Sequence, residues 1–245
     1  MKESFRTESI EKYLEQLGSG APTPGGGAAA ALTSAQGAAL IMMVANHTIG
    51  KPKYAEFEEL NTFILEEASE LLGRLEAGID KDAEAFGKVS AAYGLPRQFS
   101  DIQIDRVSAE IERLRAEGHV IDDINEEGMT AEIMDQIEDA LKAERQAAIG
   151  VASIEAAEAP LALMEDSLAA LRLAATMKGR SNKNLESDIY VAALSLAAGI
   201  KSANFNVDAN LPAIEKSDAD CASSMRLRAA AILAETDTIM AGLMG

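Results

Sequence analysis

Asp82 is the side chain whose setting in this sequence best suits proton transfer. It lies in Asp80-Lys-Asp-Ala-Glu-Ala-Phe86, where positions 82, 85, 86 and 89 fall at helical i, i+3, i+4 and i+7 spacing and share one face. Phe86 and Val89 on that face are expected to seek the core, drawing the carboxylate out of water with them. Burial disfavours the charged form and lifts a carboxyl pKa toward the range where it can both take and give a proton. On the pattern alone, a plain ion pair with Lys51, Lys81 or Lys88 explains Asp82 equally well.

A second feature is Pro22-Thr-Pro-Gly-Gly-Gly27, which opens directly into an apolar helix. Successive glycines let backbone N–H groups face a cavity, and the helix N-terminus adds a positive end, which suits an anionic or carbonyl-bearing ligand. No Lys-Ser/Thr pair follows it and no strand precedes it, which excludes a P-loop and a dinucleotide fingerprint. A tight turn between helices accounts for it equally well. Ser187-Asp188 lies just inside another apolar helix, where an acid ordinarily serves as a dipole partner. Asn204, Asn206 and Asn210 offer paired donors and acceptors for a planar heterocycle, although turn formation also explains asparagines. His47 and His119 have no metal-ligand spacing, so no metal site is expected. His47 sits near Thr48, Lys51 and Lys53 and could line a site, while His119 reads as exposed. The lone Cys221 cannot form an internal disulfide and fits a reducing, cytoplasmic setting.

The elements that must hold these residues are helical. The chain of 245 residues has no Trp, 6 Phe and 4 Tyr, and its apolar mass is Ala, Leu, Ile and Met. Such residues favour closely packed helices over strands. The pattern predicts an all-α, single-domain multi-helix bundle over residues 1–245. Its helices are expected at Ile10 to Leu17, from Ala28, at Tyr54 to Leu75, and at Asp80 to Tyr93 after an interruption near Gly78. Further helices are expected at Thr130 to Met177, broken or kinked near Pro160, at Asn184 to Asn204, and at Ala219 to Leu243. The prolines are read as lying at helix edges, and Asn206 to Pro212 as a polar turn. Residues 98–130, dense in charge, read as a surface excursion with one helix over about Asp101 to Glu117. The net charge of −18 argues against nucleic acid or an anionic membrane as partner. The acidic N-terminus resembles neither a signal nor a transit peptide, and the apolar run Ala28–Ala45 reads as a core helix rather than a membrane span.

Taken in order, these segments resemble a known family. Ala21-Pro-Thr-Pro-Gly-Gly-Gly27 is followed by Thr48-Ile-Gly-Lys51 with Tyr54, then by Asp82-Ala-Glu-Ala-Phe86 with Ala92-Tyr93 and Leu95-Pro96. Ala159-Pro160-Leu161, Ser187-Asp188 and Asn206-Val-Asp-Ala-Asn-Leu211 complete the series. This set is similar to the formiminotetrahydrofolate cyclodeaminases and the methenyltetrahydrofolate cyclohydrolases of the same fold. The resemblance implies an all-helical homodimer, without metal or permanently bound cofactor, that acts on a tetrahydrofolate derivative at its N5–N10 one-carbon bridge. By motif match it makes Asp82 the proton carrier. It places Pro24, Gly25, Gly26 and Gly27 against the pterin or the one-carbon group. Thr48, Lys51, Tyr54, Phe86, Arg180, Ser187, Asp188, Asn206 and Asn210 become substrate-binding positions, with Lys51, Lys53 or Arg180 meeting the glutamate tail. His47, the basic approach from Arg180 to Glu186 and the acidic excursion after Pro96 depart from the family pattern. Three alternatives stand beside this expectation: a non-catalytic helical dimer that binds a folate or another anion, a paralogue acting on another reduced pterin, and a nucleotide-binding bundle using only the glycine loop.

Overall fold

A computed structural model describes residues 4–102, 106–122 and 130–245. Within them the chain forms α1 (Ile10–Leu17), α2 (Gly26–Asn46), α3 (Glu58–Tyr93), α4 (Val107–Ala116), α5 (Ala131–Met177), α6 (Glu186–Ser217) and α7 (Ala219–Met244), and no strand occurs among the described residues. Several helix starts are set locally. The Ser9 side chain accepts from Lys12 N at 3.2 Å, Thr130 from Ile133 N at 3.3 Å, and Asp218 from Cys221 N at 2.8 Å, each satisfying an otherwise orphaned first-turn donor.

The bundle is organised around α2, which packs against α3, α5 and α6. Ala28, Ala31, Ala38 and Ala45 are fully buried, as are Ser34 and Val44. Small residues allow this close approach. A Cβ on Gly37 would stand 2.6 Å from Leu196 Cγ and 2.9 Å from the Ala192 carbonyl oxygen. Ser34 and Ser167, both buried, approach to 2.8 Å at their hydroxyls and so partner each other inside the core. Both α2 and α5 are long and apolar enough to cross a membrane by length and composition, but about half of each apolar stretch is buried inside the bundle.

Several expectations need correction. No interruption occurs at Gly78, because α3 runs unbroken and Gly78 instead lets α3 meet α2, a Cβ there lying 3.3 Å from Ala31 Cβ. Tyr54 belongs to a short 3₁₀ segment, Pro52–Phe57, that precedes α3. Residues 206–212 are not a turn: α6 continues through them, with Val207, Leu211 and Ile214 buried. Pro160 and Pro212 both sit inside helices. A mid-helix proline costs roughly 3 kcal/mol, and burial of the flanking apolar side chains, at about 1.5–3 kcal/mol each, outweighs it.

The charged excursion is also more than surface. Ile111, Leu114 and Ile121 pack with Ile133, Ile137, Ala140 and Leu141 of α5 into a small second core. Arg113 ties its rim together through Glu110, Glu117 and Glu144. Of the helix expected over Asp101–Glu117, a 3₁₀ turn at Phe99–Asp101 and α4 are seen, while 103–105 and 123–129 lie outside the described residues.

These contacts give opposite expectations for two glycines. Gly37→Ala must push α2 and α6 apart and should cost about 1–3 kcal/mol. Gly73→Ala, exposed in mid-helix with nothing within 4 Å of its Cβ position, should gain about 0.5–1 kcal/mol. Urea unfolding of the two variants checks both signs.

Candidate active site at the glycine turn

The loop after α1 passes through Pro24 to Gly25, whose extended backbone (φ −127°, ψ −158°) leads into α2 at Gly26. Glycine offers no side chain to cap the new helix. The cap comes from α3 instead: Asp82 Oδ2 accepts from Ala28 N at 3.2 Å. A carboxylate at a helix N-terminus is favoured by the unpaired amides and the dipole. The approach requires glycine, because a Cβ on Gly27 would stand 2.1 Å from Asp82 Oδ1. From a third direction α6 brings Asn206, whose Oδ1 lies 3.6 Å from the Cβ position of Gly26. Gly26 is solvent-exposed, whereas Pro24 and Gly27 are buried. An open floor of backbone therefore lies between a carboxyl and a carboxamide.

Burial pushes the Asp82 carboxyl above the ordinary aspartate range, and the Ala28 N–H pulls the other way without cancelling it. This burial does not arise from a shared stripe with Phe86, as the spacing predicts. Phe86 is 45% exposed, and the core side of α3 is set by Ile64, Leu71, Leu75, Ile79 and Ala83. Asp82 loses water because the glycine turn covers it. Asn210 lies one turn beyond Asn206 and donates from Nδ2 to the Asn206 carbonyl at 2.9 Å, which makes it a helix-surface side chain. Asn204 is taken up by Asp208.

The remaining expected residues do not join this site. They gather at the other end of α2, which its 21 residues place about 30 Å away at 1.5 Å per residue. There Thr48, 1% exposed, donates to the Val44 carbonyl at 2.7 Å and accepts from Asn182 N at 2.9 Å. The Tyr54 hydroxyl accepts from Lys183 N at 3.0 Å, a bond that pulls its phenol below the usual range, with Lys53 acting in the same direction. Lys53, Tyr54, Ser181, Asn182 and Lys183 line a cleft of about 400 Å³. Lys51 and Arg180 are exposed on this end, and Ser187 and Asp188 occupy the first turn of α6. Asn182 and Lys183 carry no motif and are not among the expected site residues; the signal that could have marked them is the capping chemistry of Asn182, whose side chain accepts from Asn184 N at 3.2 Å. His47 is exposed, and its carbonyl accepts from Asn182 Nδ2. His119, expected to be exposed, is half-buried, with Nε2 4.0 Å from Glu144. Glu117 and Glu144 beside it are already engaged by Arg113.

The sequence profile of the formiminotransferase-cyclodeaminase family matches residues 9–120 and 122–231. The chain belongs to this family. Within the family it is 35% identical over 208 residues to the methenyltetrahydrofolate cyclohydrolase of Methylorubrum extorquens, spanning 85% of this chain and 81% of that protein. It is 25% identical to the formimidoyltransferase-cyclodeaminase of Sus scrofa over 97% of its own length, but covers 36% of that longer protein. The crystal structure of formiminotetrahydrofolate cyclodeaminase from Thermotoga maritima has the same fold, with a TM-score of 0.64 at 22% identity over 98% of each chain. The glycine turn and Asp82 both lie within the matched part of the family profile.

The raised Asp82 pKa has a signed consequence. The folded chain holds a proton that the unfolded chain releases near pH 4, so this group's contribution to stability is lost as pH rises through the folded pKa. Asp82→Asn keeps an oxygen for the Ala28 N–H and removes the buried charge. Its melting temperature at pH 7 should equal or exceed that of the wild type, and the gap between the two should close as the pH falls to about 4. Thermal melts of both proteins across this range measure the difference.

Proposed function

We propose that this chain is a folate-dependent one-carbon enzyme that opens the N5–N10 bridge of 5,10-methenyltetrahydrofolate by hydrolysis. The observation that carries the chemistry is the Asp82 carboxyl, shielded by a glycine turn and raised toward the pH at which it can exchange a proton. The substrate class comes from the relatives. Hydrolysis is favoured because the Methylorubrum cyclohydrolase matches most of both chains at 35% identity.

In this reading the pterin lies against the Gly25–Gly27 backbone, with Asn206 available to its polar edge. Asp82, as carboxylate, takes a proton from the water that attacks the cationic methenyl carbon. The resulting carbon carries one hydroxyl and two nitrogens. Asp82 then returns its proton to one nitrogen as that C–N bond breaks, and the hydroxyl proton leaves to solvent as the formyl C=O forms. The sum is one water consumed and one proton released. Cyclodeamination, the activity named for the mammalian relatives, would use the same carboxyl to protonate departing ammonia after N10 attacks a formimino carbon. Neither reaction transfers electrons, so neither calls for a resident cofactor. The single cysteine suits a reducing cytoplasm.

The basic end of α2 lies about 30 Å from a pterin seated at Asp82, and in this reading Lys51, Lys53 and Arg180 of the same chain do not hold its tail. We further propose a homodimer, supported by Val191, Leu194, Ala198 and Phe205, exposed along one face of α6 at i, i+3, i+7 and i+14.

Two measurements test these readings. Ultraviolet absorbance with purified protein should show loss of 5,10-methenyltetrahydrofolate, reduced on the order of 10²–10⁴-fold in Asp82→Asn. Turnover of 5-formiminotetrahydrofolate instead would assign deamination, and turnover of neither would refute the enzyme reading. Light scattering should give twice the 25.8 kDa chain mass, falling to one chain in Leu194→Glu. A monomeric wild type would exclude the dimer.

A further inference from the structure

Tyr93, Leu95 and Pro96 take no part in the chemistry at Asp82, since α3 carries its last residue, Tyr93, about 16 Å beyond that carboxyl. At this end of α3 a cavity of about 560 Å³ opens between α4 and α5. Leu95, Pro96, Leu141, Ala147 and Ala148 give it apolar walls, and Arg145 stands among them. Arg145 is half-buried, its guanidinium lies 5.3 Å from the centre of the Tyr93 ring, and its Nη2 donates to the Tyr93 carbonyl at 3.1 Å. Stacking and this hydrogen bond hold the guanidinium in place. Among the described residues no carboxylate comes within ion-pair distance of it: Glu110 and Glu144, the acids in the cavity wall, both turn to Arg113. A smaller cleft of about 290 Å³, also bordered by Arg145, carries Arg97, which likewise has no ion pair among the described residues. In a chain with 40 acids and 22 Lys and Arg, a half-buried guanidinium beside an apolar cavity is left without a counter-charge.

We propose that this cavity is a second ligand site, which takes a small molecule with an apolar body and a carboxylate: the body lies against Leu95, Pro96 and Leu141, and the carboxylate pairs with Arg145. The volume falls in the range of about 300–1,000 Å³ typical of small-molecule pockets, and apolar walls with one placed charge are the usual lining of such a site. A guanidinium meets a carboxylate through two parallel N–H bonds, which fixes the ligand's orientation. A bare anion would leave the walls unused, and an uncharged apolar molecule would leave Arg145 unpaired. The site is independent of the folate reading, because none of its residues touches the glycine turn or Asp82.

Octanoate is the probe and 1-octanol, with the same chain and no charge, its control; calorimetry on the intact chain reads both. Wild type should bind octanoate saturably at one molecule per chain and octanol at least about tenfold more weakly, the weight of a charged hydrogen bond. Arg145→Gln should weaken octanoate by about 10–100-fold. Ala147→Phe, at an exposed position of α5 that lines the cavity, fills the space without disturbing the core and should abolish binding. Both variants should turn over folate as wild type does. No saturable octanoate binding, octanol binding as tightly as octanoate, or a wild-type Kd in either variant overturns the inference and leaves the folate reading untouched. Competition between octanoate and a folate for one site overturns it too, since the two sites are then not separate.

Discussion

Asp82 meets the first turn of α2 at 3.2 Å because residue 27 has no side chain. This contact links two demands that a helical bundle ordinarily satisfies separately. The N-terminus of α2 needs an acceptor for its free amides, and the carboxyl needs shelter from water if it is to exchange protons near neutral pH. One carboxylate does both. It must therefore come from another helix, which makes its position depend on how α2 and α3 pack along their whole length.

That packing rests on small residues. Gly37 and Gly199 allow α2 and α6 to touch at backbone distance, and Gly78 does the same between α2 and α3. With so little side-chain volume between the axes, a shift at any crossing is transmitted to the glycine turn, because close-packed interiors have few voids to absorb it. The second core under α4 stands apart from this arrangement, built on the first half of α5 and edged by the Arg113 ion pairs. It adds apolar burial without touching the turn.

The same architecture divides the motif residues. Thr48, Tyr54 and Asn182 form a hydrogen-bonded knot that closes the far end of α2, with the side chains of all three partnered. A residue set that reads as one site along the chain thus falls into two groups: an acid beneath the glycine turn and a basic cleft at the opposite helix end.

Composition and spacing alone determined the helical class and the extent of α1 over Ile10–Leu17, while the glycine turn and Asp82 were joined only by the family motif they resemble. Each depends on local propensity, capping chemistry or a compact motif, which survive without knowledge of neighbours. The continuity of α3 through Gly78 and of α6 through Asn206 and Pro212 was decided only by tertiary structure, because burial against other helices outweighed the local breakers. The source of Asp82 burial was decided there too. Helical spacing assigned it to a stripe with Phe86, whereas the covering group is the backbone of a loop 54 positions earlier in the chain. Sequence periodicity reports which side chains share a helix face, and it carries no information about which distant backbone will lie over that face.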